Sequence, residues 1–450
     1  MVLVAALVGI IGLAIALNGR SGPSSASGSP GPGRSDPLVV LIDDDGALAT
    51  VDAAGTSTIL AREPGTTFGF PAWSPDGSRI AAIAYGPGGA AISIFAVPAG
   101  DRRSSQAPSP VVVYRSAEVP PFYLYWTPDG RRISFLATEA DGISLRVAPA
   151  DGTAPLDGGP ASVIRQGAPL YFDWIAADRL LLHVGSGAAA FLGEVGSDGA
   201  PVAPAVTGSG DFRPAVTGTS GRFMAFVRGT VPSAELVVAA RDGSAEHAVP
   251  VFGPAALVFG PTGDTVATIA AVAASPNPLA FPVGPLRLID AASGATRTLL
   301  DGTVVGFFWS PDGRTIATLR LQGGSGSTVA DRTIVTAAAA LSTPASGASA
   351  RLASATPAPT PGPELHLIFV NVADGALRSD RVVRPTSRFV NEFLPYFDQY
   401  ALSHRVWAPD SRAILLPLVD DAGRDQLVSL EADGSPSSRV FDGTVGFWSP

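Results

Sequence analysis

The four histidines are the obvious residues to test for chemistry, and their spacing argues against it. His183, His247, His366 and His404 stand singly, without the His-x-x-x-His or His-Glu-x-x-His pattern that brings two imidazoles onto one metal ion. No cysteine occurs among the 450 residues, which removes disulfides, thiolate metal sites and thiol catalysis. The Gly-x-Ser-x-Gly elbow of a serine nucleophile is also absent. Asp43-Asp44-Asp45-Gly46 has consecutive acids rather than the alternating acids of a calcium loop, and it reads as a hairpin turn. The sequence therefore predicts no catalytic residue, no metal site and no cofactor.

One stretch has the composition of a recognition surface. Between Arg388 and His404 the chain gathers Phe389, Phe393, Tyr396, Phe397 and Tyr400 around Asn391, Glu392, Asp398 and Gln399. Aromatic rings with polar tips supply large contact area together with hydrogen bonds. The candidate partner-binding residues are Phe393, Tyr396, Phe397, Asp398, Gln399, Tyr400 and His404. The competing reading is a loop that plugs a central channel or caps its own blade with these rings.

The elements that must position this stretch are set by a repeat. Trp309-Ser310-Pro311-Asp312-Gly313 with Ile316 returns at Trp73 with Ile80, at Trp126 with Ile133 and at Trp407 with Ile414. Pro presets φ, Asp binds nearby backbone and Gly takes the left-handed position, so each copy is a hairpin corner joining two strands. Degenerate copies lie at Trp174, Val216 and Phe259, and the chain ends on Phe447-Trp448. A period of about 40–50 residues built on such corners marks a β-propeller. The long interval from 309 to 407 contains a Gly/Ser/Ala/Pro-rich tract at 321–364. That tract reads as a disordered excursion between the second and third strands of one blade. Limited proteolysis is expected to cut there first, and deleting it is expected to leave the propeller folded.

These corners resemble the PD40 (WD40-like) repeats of TolB-like β-propellers, over residues 38–450 apart from the insertion. The resemblance implies an all-β fold and says little about function. TolB carries an additional α/β domain before its propeller, and here a short tether stands in that place. Four strands per unit from Phe68 give seven complete units. The three strands of 38–60 lack an innermost partner, and Val445–Trp448 is a lone innermost strand. Their pairing predicts an eighth blade that closes the ring, with seven blades as the alternative.

Residues 1–17 are apolar and read as a membrane anchor or signal segment, and 18–37 as a disordered Ser/Gly/Pro linker. Every basic residue is Arg, the net charge is −9 and no basic cluster occurs, so no nucleic-acid partner is expected. The favoured function is a non-enzymatic, monomeric, membrane-tethered propeller on the extracytoplasmic side that binds a protein or cell-envelope component. The alternative is a propeller that takes a small ligand or carbohydrate, or acts as a hydrolase or lyase, through its axial funnel.

Overall fold

The computed structural model describes residues 37–450 except 98–108, 154–161, 207–209, 211, 213, 232, 274–280, 322–363 and 437. Each well-matched corner is a turn in which the motif tryptophan pairs directly with the motif isoleucine: Trp73 with Ile80, Trp126 with Ile133, Trp309 with Ile316 and Trp407 with Ile414. The small residue after Trp has its own task. Ser74 Oγ donates to Asp76 Oδ1 at 2.6 Å and accepts from the Arg79 N–H at 2.9 Å, and Ser310 does the same with Asp312 and Thr315. The corner glycines Gly77, Gly130 and Gly313 take φ of 67°, 67° and 69°. In the fourth corner Ser411 is forced to φ 62°, at a cost of about 1–2 kcal/mol. Its hydroxyl accepts from the Asp312 N–H of the preceding corner, which links two blades.

Three strands precede the first corner: β1 (Val39–Ile42), β2 (Leu48–Val51) and β3 (Ser57–Ala61). Blade 1 is β4–β7 (Thr67–Trp73, Arg79–Gly86, Gly89–Ala96, Val111–Ser116), and blade 2 is β8–β11 (Pro121–Trp126, Arg132–Glu139, Gly142–Pro149, Ser162–Gln166). Blade 3 is β12–β14 (Leu170–Ala176, Arg179–Val184, Phe191–Gly196), and blade 4 is β15–β18 (Ala215–Thr217, Phe223–Arg228, Ala234–Ala240, Glu246–Val251). Blade 5 takes β19–β21 (Ala255–Phe259, Thr265–Ala270, Gly284–Asp290) and the first part of β22 (Thr296–Trp309). Blade 6 takes the rest of β22 with β23–β25 (Thr315–Leu321, Leu365–Asn371, Leu377–Val383). Blade 7 is β26–β28 (Ala413–Val419, Asp425–Glu431, Ser438–Phe441). The last strand, β29 (Val445–Trp448), joins the first three in the order β29-β1-β2-β3. This is the expected eighth blade, with the C-terminal strand innermost and Val39 opposite Trp448.

The tryptophans also staple neighbouring blades. The indole N–H donates to a carbonyl one residue before the preceding blade's corner aromatic: Trp126 to Ala72, Trp309 to Val258 and Trp407 to Phe308. Trp73 donates to Phe447 across the junction of the first and last blades. Interblade packing buries Phe135, Phe172, Phe307 and Phe369 fully.

Two blades depart from four strands. Among the described residues blade 3 has no regular outer strand, because Pro201 and Pro204 interrupt it; proline has no N–H for the ladder. The N–H groups of Val202 and Val206 still bond to Glu194 and Leu192. In blade 7 the innermost strand survives only as two bridges, Pro385 to Leu418 and Trp407 to Ile414. Strands β23 and β24 pair up to Leu321 opposite Leu365, so the excursion leaves the hairpin end of blade 6. Its interior, and residues 1–36, lie outside the described residues. Among the described residues no helix is long and apolar enough to cross a membrane.

Candidate functional site

The segment between the two blade 7 bridges turns into the axis of the propeller. Thr386 starts it, its hydroxyl accepting the Phe389 N–H at 3.2 Å. A π-helical turn (Phe389–Phe393), a 3₁₀ turn containing Pro395 (Leu394–Tyr396) and an α turn (Phe397–Tyr400) follow. His404 N–H closes onto the Tyr400 carbonyl at 2.7 Å, and the chain rejoins its blade at Trp407. We call this segment the plug.

Its rings meet the inner strands of other blades. Phe397 packs on Phe307 and Phe308 at 5.1 and 5.7 Å. Tyr400 lies against Phe70, Tyr123 and Phe393, and His404 and Phe393 lie against Phe447. Tyr123 Oη donates to the Gln399 carbonyl at 2.7 Å. The plug thus touches blades 1, 2, 6 and 8 as well as its own. Edge-to-face and offset ring pairs of this kind contribute about 0.5–1.5 kcal/mol each beyond area burial.

Of the seven candidate residues, Phe393, Phe397, Asp398, Gln399, Tyr400 and His404 are buried in this axial packing. Tyr396 alone faces solvent, with 49% exposure. Tyr396→Ala is therefore expected to shift stability by no more than about 0.5 kcal/mol. Tyr400→Ala is expected to cost about 3–5 kcal/mol, and thermal melts of the two variants check the contrast.

The plug carries two titratable groups out of water. Burial pushes the Asp398 carboxyl up to about 7, against the backbone hydrogen bond from Gln399 that favours the charged form. Asp398 Oδ1 accepts from the Gln399 N–H, whereas Oδ2 finds no hydrogen-bond partner among the described residues. Burial lowers His404 to about 3, so its imidazole is neutral, with Nδ1 2.7 Å from Ser403 Oγ. A third buried group, Asp173 of blade 3, is raised to about 6 by burial. It ties three blades together, accepting from Thr217 N–H and Oγ1 at 2.9 and 2.7 Å and from Tyr125 Oη at 3.3 Å.

The sequence reading missed the wall that receives the plug. Phe70, Tyr123 and Tyr171 each stand three residues before a corner tryptophan, at Trp73, Trp126 and Trp174. Phe70 and Tyr123 take φ of 53° and 50° at register shifts in β4 and β8. Such bulges re-aim a side chain, and here they turn the ring inward. An aromatic recurring at that offset was the available signal.

The other histidines are brought together neither with His404 nor with one another. His183 lies in β13 with its ring 5.0 Å from Phe212, His247 Nε2 is 3.2 Å from the Ala292 carbonyl, and His366 Nδ1 is 2.6 Å from Asp380. Asp43 closes its turn by accepting the Asp45 and Ala47 N–H groups. Among the described residues no group of three His, Asp or Glu side chains is placed to hold a metal ion.

Eight blades around a filled axis, the fifth and sixth joined through β22, define a β-propeller. No family model and no curated protein matches the sequence. Among solved structures, a eukaryotic initiation factor is 11% identical with a TM-score of 0.54, over 92% of this chain and 99% of that one. The dihydro-heme d1 dehydrogenase NirN is 14% identical with a TM-score of 0.50, over 93% and 77%. TolB from Acinetobacter baumannii is 13% identical with a TM-score of 0.37, over 92% and 83%. At such identities the likeness to the first two is one of fold alone.

Proposed function

We propose that this protein is a non-enzymatic, monomeric propeller tethered through residues 2–17 and the Ser/Gly/Pro linker to the extracytoplasmic side of a membrane. There it binds a protein or cell-envelope component through one face. The observation that carries this reading is the plug. The axis, where a propeller has room for a small substrate, is filled by the chain's own Phe393, Phe397 and Tyr400, which leaves the faces for recognition.

Strand direction supports an orientation. Leu38 binds Ser449 at the corner end of β1 and β29, so the propeller begins at the corner face, and a tether preceding it would attach there. The plug departs at Pro385, at the opposite end of its strand. A tethered propeller would present the plug's mouth away from the membrane.

Fractionation tests the tether. The full chain with a C-terminal tag is expected to sediment with membranes, and its tag is expected to be digested by protease added on the extracytoplasmic side. Recovery of the intact chain as a soluble cytoplasmic protein would overturn the reading.

A further inference from the structure

Beside the plug, on the face opposite the corner turns, lies a shallow apolar depression. Its walls are Phe70, Leu415, Val445 and Phe447 of blades 1, 7 and 8, with Phe389 and Phe393 of the plug. The two charged residues in its lining, Arg388 and Glu392, pair with each other at 3.0 Å and neutralise one another.

The strands that form the wall run outward into acidic turns. Pro417 lines the depression, and blade 7 then turns through Asp420 and Asp421 to Asp425. Val445 is paired with Ile42, after which blade 8 turns through Asp43, Asp44 and Asp45. Asp442 stands in the connection between these blades. Arginines answer part of this charge: Arg62 holds Asp43 and Asp45, Arg424 holds Asp420, and Arg384 lies 3.8 Å from Asp421. Asp44, Asp425 and Asp442 make no ion pair among the described residues. Burial, and then the charge of Asp44, push the Asp425 carboxyl up, so carboxylates of two different blades already repel across this rim.

We propose that this depression docks a basic segment of a partner protein, which lays one branched aliphatic or aromatic side chain over the stacked rings of Phe393 and Phe447. The proposal rests on the reading of the protein as a partner-binding propeller and names the chemistry of the partner. An apolar anchor fits an apolar floor, where a single buried side chain carries most of an interface's affinity. The surplus carboxylates select positive flanks and speed their approach, with a marked dependence on salt. The same carboxylates repel an anionic lipid surface, consistent with a face turned away from the membrane.

The test uses the full chain in non-ionic detergent and a fluorescein-labelled decapeptide of Arg and Gly with one central Leu, read by anisotropy. Binding is expected, and it should weaken at least roughly tenfold when the central Leu becomes Ser. A peptide with Glu in place of Arg should not bind. Asp44→Arg combined with Asp442→Arg, two exposed positions, should weaken the Leu peptide about tenfold and leave the melting temperature unchanged. Equal binding of the Leu and Ser peptides, equal binding of the Glu peptide, or no binding of the Leu peptide each overturns the proposal. Membrane fractionation answers separately, so loss of the tether with peptide binding intact removes the localisation and keeps the docking site.

Discussion

Ending the chain after Gly443 is expected to abolish cooperative unfolding. The deletion removes β29, and with it the ladder to β1 from Val39–Trp448 through Ile42–Val445. It also takes away Phe447 and Trp448, both buried; loss of a buried Phe or Trp side chain costs about 3–5 kcal/mol. Three consequences spread from there. The Trp73 indole loses the Phe447 carbonyl that accepts its hydrogen bond. Phe393 and His404 of the plug lose the ring against which they pack. β1 becomes an unpaired edge, a template for aggregation. The sum is of order 10 kcal/mol, comparable with the whole stability of a typical folded domain, about 5–15 kcal/mol. Amides of residues 39–61 are expected to exchange rapidly in whatever soluble protein remains. Phe447→Ala is a graded version of the experiment and should lower stability by about 3–5 kcal/mol while keeping the strand. A truncated chain that melts within a few degrees of the full one, with residues 39–61 still protected, would mean that this pairing does not hold the ring.

The closing strand was legible in the sequence for a simple reason. Three strands without an innermost partner and one innermost strand without a blade are complementary, and unpaired edges are costly wherever they lie. The corners were legible because their chemistry is local: Asp76, Asp129 and Asp312 act within their own turns. The staples made by Trp73, Trp126, Trp309 and Trp407 were not, since their acceptors lie in another blade, 51 to 374 residues away in sequence. Blade 3 was read as four-stranded on its period, and Pro201 and Pro204 overrode that period locally.

The plug was half legible. Its length and its aromatic residues set 389–404 apart from the other connections between one blade and the next. Composition does not say which way rings point, however, and the same residues serve a surface loop or a filled axis. Direction is fixed by the two bridges at Pro385 and Trp407 and by the inward turn of Phe70 and Tyr123, whose positive φ no local propensity encodes. Asp398 shows the limit most plainly. In the sequence it is one polar residue among rings, and in the fold it is a carboxyl removed from water with one oxygen unpaired.

That unpaired oxygen gives the second large effect, a pH-dependent gain in stability for Asp398→Asn. In the unfolded chain an aspartate ionises near 3.8, and in the folded protein Asp398 holds its proton up to about 7. Between those values the folded state binds the extra proton, so its stability falls as pH rises. The penalty is absent below about pH 4, grows through the interval and is complete above about pH 7. Three pH units at 1.36 kcal/mol each make it of order 4 kcal/mol. An asparagine keeps the Oδ1 acceptor for the Gln399 N–H and carries no charge, so the variant should gain about 2–4 kcal/mol over the natural chain at pH 8. At pH 4 the two should be nearly equal. His404 pulls the other way: with its pKa lowered to about 3, it costs stability as pH falls from about 6.5 towards 3, when the unfolded imidazole takes up a proton that the buried one refuses. Because His404 and Asp173 are present in both proteins, the difference between the two melting curves isolates Asp398. Denaturant melts at half-unit steps from pH 4 to 8 would read it. A constant offset across that range, or a variant less stable at pH 8, would show that the Asp398 carboxylate is compensated within the plug and is ionised in the folded state.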